Sequence, residues 1–168
     1  MNSPSSAETR SMIEQSQRFL EEGTNFFLST FQAVPDDKLN YSPSATAKTP
    51  LRLAAHLSVA NSAFAGLLRG EPAPDIPLPE MIQWMDQQER QITTRDEAVQ
   101  ALETSKTEVC SAIANLTPEA IASTIKTPFG EMPATFLMQL CGLHPACHAS
   151  QIDYIQTIYG DMEMHMPH

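Results

Sequence analysis

Apolar residues return every three to four positions along most of this chain, the spacing that lines one face of an α-helix. Between about Glu8 and Ala33 the series is Ile13, Leu20, Phe27, Phe31 and Val34, with Glu14, Gln17, Arg18 and Glu21 falling between them. Gly23 weakens the middle of this helix by about 1 kcal/mol relative to alanine. Pro35 ends it, because the residue before a proline avoids the α region. Asp36–Lys48 has no sustained period and reads as loop. Thr49-Pro50 then supplies an N-cap and a first-turn proline. The helix that follows runs to about Arg69 on a stripe of Leu53, Leu57, Ala60, Phe64 and Leu68, and Gly70 stops it.

The second half is more punctuated. Glu71–Pro79 holds four prolines in nine residues, so it is a crossover loop or a strap rather than a helix interior. Glu80–Ile92 is read as a short helix around Met81, Trp84 and Met85. Thr94 and Glu97 match a capping box, and a helix follows to about Leu116 with Ala98, Leu102, Val109, Ala112, Ile113 and Leu116 inward. Thr117-Pro118-Glu119 starts a short turn. Ser123–Pro133, with β-branched residues, a glycine and two prolines, is a small hairpin or an ordered loop. The last helix spans about Ala134 to Tyr159, with Leu137, Leu140, His144, His148, Ile152 and Ile155 on its inner stripe and Gly160 at its end.

Long helices joined by one Pro-rich crossover predict an all-α four-helix bundle. The expected organisation is one domain over residues 8–160, with residues 1–7 and 161–168 as mobile termini. Charge narrows the partners. A net charge of -10 argues against nucleic acid, which needs a basic face, and against anionic membranes. No stretch is read as long and apolar enough to span a bilayer. Three cysteines, Cys110, Cys141 and Cys147, form no CxxC and no even set, which fits a reducing compartment. With no apolar leader at the N-terminus, the expected location is cytoplasmic.

The candidate chemistry lies in Leu140–Asp153, LCGLHPACHASQID. His144 and His148 are four apart and share one helix face, an arrangement by which a helix grips a metal. His56, beside Leu53, Leu57 and Ala60, points toward the same core or its edge. Each histidine alone is also compatible with a satisfied core residue. Two imidazoles facing a core require partners, and a shared cation supplies one. Pro145 adjusts the aim of His144 or marks a helix crossing. Cys147 projects away from the pair, and Cys141, the better outside candidate, reads as a small core residue. Gln151 lies one turn beyond His148, within reach of a ligand or water. Asn61, Tyr41 and Trp84 are candidates for lining or covering the site, and His165 and His168 for a solvated tail.

These residues resemble the DinB-like (DinB/YfiT-like) family over nearly the whole chain. The first half matches in VPDDKLNYSPSATAKTPLRLAAHLSVA, which carries His56, and the last helix in HPACHASQI, which carries His144, His148 and Gln151. Where the family often has a further histidine and an Arg-Gly pair, this chain has Cys147, Ala149 and Ser150. The resemblance implies a bundle holding a divalent ion, commonly nickel or zinc, on His56, His144 and His148, and frequent homodimers. It also implies, in some members, a metal-dependent S-transferase or isomerase with a low-molecular-weight thiol as cosubstrate, and a divalent ion that activates bound water would equally serve a hydrolase acting on small molecules. The alternative it leaves open is a non-catalytic metal-binding or stress-response bundle.

Overall fold

The computed structural model describes residues 3–167. The expectations made for Met1, Asn2 and His168 lie outside the described residues. Helix α1 spans Ser6–Ala33, α2 Pro50–Leu68, α3 Leu78–Glu89, α4 Arg95–Ala114, α5 Pro118–Ile121 and α6 Ala134–Ile158. A hairpin of β1 (Thr124–Thr127) and β2 (Gly130–Pro133) precedes α6. The long helices α1, α2, α4 and α6 form the bundle, with α1 packed most extensively on α6 and α2 on α4.

Local chemistry explains the boundaries. α1 starts two residues before the expected Glu8, because Ser5 and Glu8 form a capping box in which Glu8 Oε2 accepts from the Ser5 backbone N–H at 2.8 Å. α2 begins on the Thr49 cap, whose hydroxyl accepts from the Arg52 N–H. The Thr94–Glu97 box opens α4 as its spacing predicts. α3 is shifted relative to the expected Glu80–Ile92. It begins at Leu78, because a proline in a first turn gives up no helical hydrogen bond. The choice between hairpin and loop at Ser123–Pro133 falls to the hairpin, paired antiparallel from Thr124↔Pro133 to Thr127↔Gly130. Its turn uses Gly130 at φ 112°, and the Thr127 hydroxyl donates to the Gly130 carbonyl at 2.7 Å. In the C-terminal segment, His165 is bonded to Asp161 at 2.9 Å rather than solvated, and its side chain is 17% exposed.

α2 does pass the length and composition test for a membrane span, contrary to the sequence reading. Most of that window is buried in the bundle, as befits a helix with neighbours on several sides. The core falls into two clusters along the bundle axis. One gathers Phe27, Phe31, Leu53, Leu57, Leu102 and Ile152, the other Leu20, Leu68, Val109, Ile113, Leu137 and Met138. On α6 the first cluster begins at Ala149 and the second ends at Cys141. His144 and His148 occupy the interval between them. The same gap on α2 lies between Leu57 and Ala65, just after His56.

The α1–α6 contact accounts for two residues that the sequence left with weak or divided roles. A Cβ placed on Gly23 would lie 2.2 Å from the Gly142 carbonyl oxygen and 3.2 Å from the Pro145 ring. Gly23 therefore marks the closest approach of the two helices rather than a weak point in α1. Pro145 is buried there, at a helix crossing, with its ring turned to α1.

Candidate metal centre

His56 on α2 and His144 and His148 on α6 meet in the gap between the two core clusters. One ring nitrogen of each lies within 4.8 Å of the others. The three rings pack edge to face, with centroids 5.2 Å apart for His56 and His144, 5.1 Å for His56 and His148, and 4.5 Å for His144 and His148. Phe64 closes on His144 from α2, at 5.6 Å between centroids.

Two of the rings are held from behind. His56 Nδ1 lies 2.9 Å from Glu89 Oε1. The carboxylate can only accept, so His56 Nδ1 carries the proton and Nε2 carries the free lone pair. His148 Nδ1 lies 2.7 Å from Gln151 Oε1, and the same logic leaves its Nε2 unprotonated in the neutral ring. That Nε2 faces His144 Nε2 at 2.9 Å. His144 Nδ1 is buried without a hydrogen-bond partner, so without an ion His144 Nε2 holds the proton and donates it to the His148 Nε2 lone pair, and a bound ion would take the place of that proton. Lone pairs aimed at a common point, with their other nitrogens bonded to a carboxylate and an amide, are the donor set of a metal site. The residues fit a divalent cation.

The electrostatics agree. Burial, then the neighbouring His148 and His56, push the His144 imidazole down to about 3. Burial lowers His148 as well, against the opposing pull of its Gln151 bond. Near neutral pH both rings are therefore neutral, the state that binds metal. Glu89 behaves differently. Burial pushes its carboxyl up, but bonds from His56 and Lys48 outweigh this and hold it below the usual carboxylate range. Its side chain is 2% exposed. Lys48 pairs with Glu89 Oε2, and Arg52 reaches the same oxygen at 3.0 Å. Arg52 also bridges to Asp86 at 2.5 Å. Glu89 thus arrives as a charge-compensated anion on α3, a short helix whose own packing is mainly on α2.

A model of the DinB superfamily matches residues 20–152. The chain belongs to the DinB superfamily. No curated protein and no solved structure matches it. The matched span of this DinB chain contains all three histidines, Glu89 and Gln151.

The structure brings together the three histidines singled out in the sequence and gives Gln151 a defined role, holding His148. It separates Asn61, Tyr41 and the cysteines from them. Asn61 is fully buried, with its amide directed to Ser105 on α4. Tyr41 packs edge-on against Tyr159 instead of covering the site. Trp84 is half exposed and lines an open groove that reaches His56 and His144. Cys141 is fully buried and donates its thiol to the Leu137 carbonyl, and burial pushes that thiol up to about 12. Cys147 is exposed. Both cysteines stand apart from the histidine cluster, as their helical positions predict. Glu89 is the residue that sequence reasoning missed. It sits in the polar run MDQQER, where nothing marks it as inward. The available signal was indirect, since a metal-binding imidazole calls for a carboxylate or carbonyl partner.

Proposed function

We propose that this DinB superfamily protein is a divalent-metal-dependent enzyme acting on small molecules, with the ion held by His56, His144 and His148 through Nε2. The observation that carries the reading is the convergence of three ring nitrogens, two of them oriented by Glu89 and Gln151. Nickel and zinc suit an all-imidazole donor set. Three protein ligands leave coordination positions open, so the bound ion would act as a Lewis acid toward a small-molecule oxygen or sulfur.

The chain's own groups prepare that site. Burial keeps His144 and His148 neutral and available. Gln151 sets the proton of His148 on Nδ1, and Glu89 does the same for His56. Lys48 and Arg52 hold Glu89 ionised, so it serves as a positioning residue rather than as a proton acceptor. Phe64 limits water at the His144 edge. Within the same proposal, the partner is a small molecule rather than a nucleic acid, in keeping with the net charge of -10. A homodimer is the proposed assembly, for which the half-exposed Phe136 and Leu143 on α6 offer apolar surface.

The test is elemental analysis of protein purified without a histidine tag, together with the variants His56→Ala, His144→Ala and His148→Ala. About one ion per chain, lost in each variant, supports the site. Protein that carries no ion and takes up none from stoichiometric zinc or nickel would overturn it. Turnover that disappears with His148→Ala separates an enzyme from a bundle that merely binds metal.

A further inference from the structure

Two of the three histidines, His56 and His144, lie on the wall of a groove of about 1410 Å³. That exceeds the roughly 300–1,000 Å³ of ordinary small-molecule sites, so there is room for a ligand considerably longer than a metal-bound head. The walls come from α2, α3, α4, the hairpin and α6. Ala63, Phe64 and Leu67 of α2 run along it, Trp84 and Met85 approach from α3, and Phe129 from the hairpin turn. Large apolar side chains remain in water at its rim: Trp84 is 50% exposed and Phe129 71%. Their solvent exposure is what an apolar occupant would relieve.

The charges along the groove are lopsided. Glu71, Asp86, Glu89, Glu97 and Glu108 line it, against Lys48 as its one cationic side chain among the described residues. Lys48 is already spent on Glu89. Arg52 and Arg90 neutralise Asp86, and Arg69 pairs with Glu71. Glu97 and Glu108 have hydrogen-bond donors, Thr93 and Thr94 for one and Ser62 for the other, but no ion-pair partner among the described residues. Both stand in the groove wall on α4. A cleft with one sign of charge on low-dielectric walls focuses its field into the space between them.

We infer that the groove selects an elongated apolar molecule that is uncharged or cationic along the walls, and that it disfavours ligands that place negative charge there. Apolar walls supply the affinity, and Glu97 and Glu108, the groove carboxylates without a direct ion pair among the described residues, supply the discrimination. The inference rests on the proposed function only for what happens at the histidine end; binding along the walls is independent of it.

The experiment uses the full chain, with bound metal measured on the same sample. Octyltrimethylammonium, octyl glucoside and octyl sulfate, each below its micellar concentration, are titrated against the emission of Trp84, the chain's only tryptophan. The first two give a saturable blue shift, and octyl sulfate binds at least about tenfold more weakly, which is about 1.4 kcal/mol. Ala63→Phe, which fills the groove, weakens all three. Should that variant fold poorly, the double variant Glu97→Gln and Glu108→Gln narrows the gap between cation and anion while leaving octyl glucoside unaffected. Octyl sulfate binding as tightly as the ammonium probe overturns the inference. So does the lack of any saturable shift, or a titration that well-folded Ala63→Phe leaves unchanged. A sample without metal that still shows the expected order of probes counts against the proposed function alone.

Discussion

Replacing Gly23 with alanine separates local propensity from tertiary packing, because the two predict opposite signs. In an isolated helix the change is favourable by about 1 kcal/mol. Here the new methyl would stand 2.2 Å from the Gly142 carbonyl oxygen and 3.1 Å from its carbonyl carbon. The obstacle is backbone on the facing helix, which has no rotamer to move into. Restoring ordinary contact requires α1 and α6 to part by about 1 Å along a close-packed interface, and packing at native density makes such a shift costly. Overpacking of this kind costs about 1–3 kcal/mol, and more where backbone must move. Because the obstacle here is backbone, the cost lies at the upper end, about 2–3 kcal/mol, and set against the helix-propensity gain the net destabilisation is about 1–2 kcal/mol. For a chain of this length that lowers the thermal midpoint by about 2–8 °C.

Gly142→Ala meets the Phe19 carbonyl oxygen at 2.6 Å from the other side of the same crossing and should behave alike. Since either methyl forces the same separation, the double variant should lose less than the sum of the two. The assay is thermal and urea unfolding of both single variants and the double, followed by circular dichroism. A raised midpoint for Gly23→Ala would refute the close-crossing argument. Fully additive losses would refute the shared separation.

Four further outcomes follow from the site and its supports. Glu89→Gln removes the anion behind His56 and leaves Lys48 without its ion-pair partner, while Arg52 keeps Asp86; metal affinity should fall about 10–100-fold, read by competition with a chelating indicator, and an unchanged affinity would remove Glu89 from the site. In metal-free protein, His144 is held near 3 in the fold against about 6.5 in the unfolded chain. The unfolded state therefore binds more protons within that window, and stability falls as pH drops from 6.5 toward 3. The loss by pH 5 is on the order of 1–2 kcal/mol, and urea midpoints at pH 7 and 5 that differ less in wild type than in His144→Ala would contradict it. Alkylation of the native protein with iodoacetamide should label exposed Cys147 while sparing buried Cys141 until unfolding, as peptide mass spectrometry can establish. Thr94→Ala breaks the capping box of α4 and should cost about 1 kcal/mol without changing metal content; loss of metal in that variant would tie the α4 cap to the site.

What could be read from the chain alone was local. Helical period, the Thr49 and Thr94 caps, the prolines and Gly70 all act within a turn or two of themselves, so the helices and their order were legible without a fold. His144 and His148 were legible together for the same reason, being one turn apart on one helix, and Gln151 is bonded to His148 across three residues. His56 was legible as a histidine on the inner side of its helix, beside Leu53, Leu57 and Ala60, and resemblance to a family joined it to the pair. Tertiary structure decided the rest, because the partners are distant in sequence. Glu89 and His56 are separated by 33 positions and lie on different helices, and no periodicity in MDQQER distinguishes an inward carboxylate from a solvated one. Gly23 and Gly142 meet only when α1 lies on α6, which reverses the sign that propensity assigns to Gly23. The groove exists only where α2, α3, α4, the hairpin and α6 come together. Composition supplied the net charge of -10, but the fold determined which carboxylates face the groove and which find a cation.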